Sequence, residues 1–143
     1  MDLSFAFFAD HASVPPDGKV YVLGGGFSAL HLPRLPGQAT FAVVAGFRFG
    51  GGDTGKTHVV ELRLVDSRGK QLLPPATLQF QSAGPLPQED RVVSVSTVTY
   101  LSPMFGEPGV YSAEFWAAER LLTTVDVLVE EQQAPPAIGS RPN

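Results

Sequence analysis

The stretch with the strongest chemical signature is Gly50-Gly51-Gly52-Asp53-Thr54-Gly55-Lys56-Thr57, which matches the phosphate-binding pattern G-x-x-x-x-G-K-[ST] in full. A working loop of this kind presents phosphate oxygens to the N-terminus of a helix that begins directly after it. Here His58-Val59-Val60-Glu61-Leu62-Arg63-Leu64-Val65 follows, and it alternates polar and apolar residues with the period of a strand. The alternation of strands and helices that a nucleotide-binding α/β domain needs is also missing. Gly50 to Thr57 therefore reads as a glycine-rich hairpin loop, with nucleotide binding the weakest of the functional alternatives.

Other catalytic chemistry has less support. The chain has no cysteine, which removes disulfides, thiolate nucleophiles and Cys-ligated metals. No serine sits in a Gly-x-Ser-x-Gly elbow. Glu89-Asp90 and Glu130-Glu131 are sequence neighbours and read as solvated loop charges, not as opposed carboxylates in a cleft. The three histidines, His11, His31 and His58, are isolated in sequence. His11 beside Asp10 would join a metal site only if His31 folded close by; the plainer reading is three surface or hydrogen-bonding histidines. No catalytic residue, metal or cofactor is expected.

What remains is surface. Phe8 falls on the opposite face from Phe5 and Phe7, and Trp116 on the opposite face from Tyr111 and Phe115. These two outward aromatics are the candidate interaction surface, for a protein partner or, as an alternative, a sugar-stacking platform. Irregularly packed sheets whose ends they merely cover would explain them equally well.

The elements that must position them are strands. Val110 to Ala117 and Leu121 to Val129 alternate on either side of a turn at Ala118-Glu119-Arg120, giving a hairpin with Tyr111, Ala113, Phe115, Val125, Val127 and Val129 on its buried side. Such a hairpin needs a second sheet to cover it. Earlier strands run over Leu3 to Ala9, Lys19 to Leu23, Phe27 to Leu32, Thr40 to Phe49, Thr57 to Val65, Thr77 to Gln81 (an edge) and Val92 to Leu101. Thr40 to Phe49 is the strongest, with Phe41, Val43, Ala45, Phe47 and Phe49 facing the core. Gly24-Gly25-Gly26 marks a kink, a bulge or a close backbone approach. Val14-Pro15-Pro16-Asp17-Gly18 and Asp66-Ser67-Arg68-Gly69 are turns, and Ser82 to Asp90 is a proline-rich loop. The expected fold is all-β, a two-sheet antiparallel β-sandwich, immunoglobulin-like or related, of about eight or nine strands. Residues 1–130 form one domain, and 131–143 a disordered tail.

Composition agrees. The chain has 143 residues, 43% of them hydrophobic, with 15 Gly and 13 Pro, as many short strands with turns require. A net charge of −4 with scattered basic residues argues against a nucleic-acid binder. No apolar run reaches the ~20 residues of a membrane span, and the acidic opening Met1-Asp2 is unlike a signal peptide. A cytoplasmic location is expected.

Phe8-Ala9-Asp10-His11-Ala12, followed after a gap by Gly18-Lys19-Val20-Tyr21-Val22-Leu23-Gly24-Gly25-Gly26-Phe27, resembles the opening of a family of small uncharacterised bacterial proteins. The resemblance continues loosely through Pro33 and the strand from Thr40, and weakens after about residue 70. It implies a fold and no catalytic residues. Separately, Pro108-Gly109-Val110-Tyr111 with the return through Val125 to Val129 resembles the last two strands of immunoglobulin-like domains. The expected function is a non-enzymatic protein-interaction or self-assembly module, forming a homo-oligomer or binding a protein partner. The alternative is a small-molecule or carbohydrate-binding domain.

Overall fold

The computed structural model describes residues 1–53, 55–81 and 92–133. The loop expected at Ser82 to Asp90, and the tail from residue 134 onward, lie outside the described residues.

Alternating β-branched and aromatic residues, punctuated by Gly and Pro, give eleven strands among the described residues: β1 (Asp2–Ser13), β2 (Tyr21–Gly25), β3 (Ala29–Leu32), β4 (Gly37–Gln38), β5 (Phe41–Phe49), β6 (Thr57–Val65), β7 (Ala76–Gln81), β8 (Val93–Leu101), β9 (Met104–Phe105), β10 (Gly109–Ala117) and β11 (Arg120–Glu131). They form a four-stranded sheet, β2-β1-β5-β8, and a five-stranded sheet, β3-β11-β10-β6-β7. A two-residue ladder, β4-β9, lies beside them. This is the expected β-sandwich. Its pairings are antiparallel apart from β3 with β11, which run parallel. The last strand also runs further than expected: β11 reaches Glu131, and the Gln132 N–H donates to the Leu32 carbonyl at 2.6 Å.

The core lies between the two main sheets. At one end Phe8, Phe41, Phe105 and Tyr111 interlock, with Phe8–Phe41 centroids 5.4 Å and Phe105–Tyr111 centroids 4.8 Å apart, both edge-to-face. At the other end Phe47 packs against Phe80 at 4.8 Å and Phe115 at 6.3 Å. Edge-to-face contact places the positive rim of one ring on the negative face of the next. β5 runs through both groups.

The β10–β11 hairpin closes through Ala118 and Glu119, with Ala117 paired to Arg120. Ala118 adopts φ +54°, a left-handed conformation that crowds its Cβ. Replacing Ala118→Gly is expected to stabilise the protein by about 1 kcal/mol in urea unfolding. A loss of stability would mean that the strain at Ala118 is not relieved there.

Candidate interaction surface

Of the two candidate aromatics, Phe8 is misplaced by the sequence reading. It is 0% exposed and sits in the main core, against Phe27 and Phe41. The cause is a register shift between Leu3 and Phe5 in the pairing of β1 with β5. A bulge inserts one extra residue and inverts every side chain beyond it. Leu3, Ala6 and Phe8 therefore share the core side, while Phe5 and Phe7 stack on each other with centroids 6.0 Å apart. Removing the Phe8 ring would cost about 3–5 kcal/mol and report on folding alone.

Trp116 does lie outside the core, half-buried on the outer face of the five-stranded sheet. It stands across from Glu61 of β6, and Glu114 stands across from Arg63. The Trp116 Nε1–H donates to Glu114 Oε1 at 3.2 Å, and the Arg63 guanidinium carbon lies 4.9 Å from the centre of the Trp116 ring. Arg63 also pairs with Glu61 at 3.3 Å. The indole is thus engaged by its own sheet: a cation occupies one face and a carboxylate holds its N–H.

A further apolar surface lies on the outer face of the four-stranded sheet. Cross-strand pairing sets Phe5 over Gly46, then Phe7 beside Val44 and Val98, then Ala9 beside Ala42 and Tyr100. Ala9, Ala42 and Val44 are buried beneath their neighbours, yet Phe5 is 40% and Tyr100 50% exposed. A Cβ at Gly46 would overlap the Phe5 ring, so the absent side chain is what lets the ring lie flat on β5. The Tyr100 hydroxyl reaches over to β1, donating to the Ala12 carbonyl at 2.7 Å and accepting from the Ala12 N–H at 3.0 Å. Beyond this lies β2, whose Tyr21, Val22 and Leu23 alternate between the two sides of the strand, with Leu23 70% exposed. The glycines expected to kink the chain follow: Gly24 has φ +63°, and a Cβ there would strike the Asp10 carboxylate. Sequence reasoning missed this face because the parity error in β1 put Phe5 and Phe7 inside.

The loop from Gly50 to Thr57 opens with a single 3-10 turn, Gly51–Asp53, and leads into β6 without a helix. Its anion is its own. Asp53 Oδ2 accepts from the Gly50 N–H at 2.9 Å and from the Met1 ammonium at 2.9 Å. These contacts, the ammonium first, hold the Asp53 carboxyl below the usual carboxylate range. Asp66 is lowered as well, by the N–H groups of Lys70 and Arg68 that cap its turn. His11 and His31 are not brought together: β1 belongs to the four-stranded sheet and β3 to the five-stranded one, where His31 Nδ1 lies 3.6 Å from Glu130. Among the described residues no three His, Asp or Glu side chains cluster as a metal would require.

Gly46→Ala is expected to destabilise by about 1–3 kcal/mol. In a Phe5→Ala background the same change should cost far less, a coupling that urea unfolding of the four proteins measures. Equal costs in both backgrounds would show that the ring does not rest on Gly46. A carboxyl lowered by folding stabilises above its unfolded pKa of about 3.9, and loses that contribution as pH falls through its lower folded value. Asp53→Asn should therefore flatten the fall of Tm below about pH 4. An unchanged acid slope would remove Asp53 from the acid response.

No helix among the described residues is long and apolar enough to cross a membrane. In fold, the chain is similar to a β-glucosidase from Erythrobacter marinus at 15% identity and TM-score 0.47, covering 90% of this chain and 16% of that one. It is also similar to a β-glucosidase from Listeria innocua in complex with glucose, at 14% identity and TM-score 0.44, covering 71% and 14% respectively. The chain thus spans about a sixth of these enzymes. No curated protein matches it in sequence. A family model matches residues 4–130, nearly the whole described sandwich, and the chain belongs to that family, DUF6941, a family of unknown function.

Proposed function

We propose that this protein is a non-enzymatic interaction or self-assembly module acting through its four-stranded sheet. One observation carries the reading: Phe5 and Tyr100 leave 40% and 50% of their surfaces in water on one face of the four-stranded sheet. Apolar groups gathered on one face mark a docking surface more often than scattered ones do. An immunoglobulin-like frame fits the same reading. The parallel pairing of β3 with the final strand supports it. So does the Tyr111 hydroxyl, which donates to the Glu107 carbonyl at 2.6 Å as in a tyrosine corner. Fold alone assigns no activity.

The carbohydrate-binding alternative loses ground at Trp116. A sugar stacked on the face that Arg63 covers would have to displace that guanidinium.

Absolute mass by light scattering across a concentration series, beside thermal shift with sugars and nucleotides, tests the proposal. The expected result is a mass above one chain at raised concentration and no shift of Tm with either ligand class. A one-chain mass throughout, together with saturable stabilisation by a sugar or nucleotide, would overturn it.

A further inference from the structure

The two main sheets end in four edges, β2, β8, β3 and β7. Bare edges invite pairing with other chains, and proteins blunt them with short length, charge, proline or irregular backbone. Three of these edges are blunted. β3 has four residues and carries His31 beside Glu130. β7 has six residues and follows Pro74-Pro75. β2 has five residues and runs out through Gly24 and Gly26, both at positive φ.

β8 has none of these devices. Its nine residues, Val-Ser-Val-Ser-Thr-Val-Thr-Tyr-Leu, contain no charge, proline or glycine. It pairs with β5 without a bulge from Val93 opposite Phe49 to Leu101 opposite Phe41. Its other side is therefore a straight row of N–H and C=O groups, and among the described residues no strand lies against it.

We propose that β8 pairs antiparallel with β8 of a second copy of this chain, joining two four-stranded sheets into one continuous sheet. The inference rests on the interaction-module reading and names its partner. An extended strand continues the ladder at such an edge, and β8 suits itself as that strand. A two-fold axis through Thr97 sets Val95 opposite Thr99, Ser96 opposite Val98 and Ser94 opposite Tyr100 of the second copy. Core-facing residues then meet core-facing residues, and outward ones meet outward ones. Each chain carries a net charge of −4, so copies repel in general. A charge-free strand is where they can touch without opposing like charges. The pairing also brings the outer apolar faces together, because Val98 and Tyr100 belong both to β8 and to the face shared with Phe5 and Phe7.

The test uses the full chain. Light scattering should show a mass rising with concentration from one chain to two and stopping there. Ser94→Lys with Ser96→Lys, two outward positions of β8, should hold the protein at one chain with its Tm at low concentration unchanged. Leu121→Ser, on the five-stranded sheet, should leave the dimer intact. Hydrogen exchange on the unaltered protein gives an independent reading: alternate β8 amides should slow at least tenfold between dilute and concentrated samples. A dimer that survives the lysines and is lost with Phe5→Ser overturns the edge pairing and keeps the face as the docking site. One-chain mass at every concentration, with fast exchange along β8, overturns self-pairing and leaves the module an unlike protein as partner.

Discussion

The fold depends on burying β5 from both sides. Inward it sends Phe41, Val43, Ala45, Phe47 and Phe49 into the sandwich; outward it carries Ala42, Val44 and Gly46. The size difference is the constraint. Large residues fill the space between sheets about 10 Å apart. Small residues on the other side let Phe5, Phe7, Val98 and Tyr100 lean over the strand from its neighbours. Phe41 and Phe47, six residues apart on β5, each anchor one of the two aromatic groups, so the strand ties the ends of the core together.

That constraint was legible on one side only. The inward residues of β5 alternate without interruption and are bounded by turn residues, and β6 was read with both limits correct for the same reason. β1 failed because parity is only as good as the register. One extra residue near Ser4 turned Phe8 inward and Phe5 outward, and nothing local in Leu3-Ser4-Phe5 announces a bulge. β4 and β9 are two residues each, too short for any period. The missing helix after Gly50 to Thr57 was legible because period-two alternation begins directly at Thr57.

The surface was less legible than the core, because it is made by pairing between distant strands. Trp116 was read as outward, and it is. Its partners Arg63 and Glu61 arrive only through the register of β10 on β6. A joint site for His11 and His31 depended on their folding close together, a condition no single sequence settles, and the chain crosses between sheets after Gly26. Which strands become edges follows from sheet order, and a single sequence does not carry that information.

Sheet order turns the composition of β8 into a question of energy. Self-pairing over nine residues would form roughly eight to ten backbone hydrogen bonds, each worth about 0.5–1.5 kcal/mol net because water already satisfied those groups. Association costs about 4–15 kcal/mol in lost freedom. The two terms nearly cancel, so the bonds fix geometry and not affinity. Affinity must come from apolar area beside the edge, at about 25 cal/mol per Å². Among the described edges, β8 is the one that lies beside β5 and carries an apolar face the protein already needs in order to cover it. Val98 and Tyr100 therefore serve two ends. They shield Ala42 and Val44 within one chain, and they place apolar surface where a second strand would arrive. A polar residue at either position would weaken both, which gives a physical reason for β8 to hold these side chains although no strand among the described residues pairs with its edge.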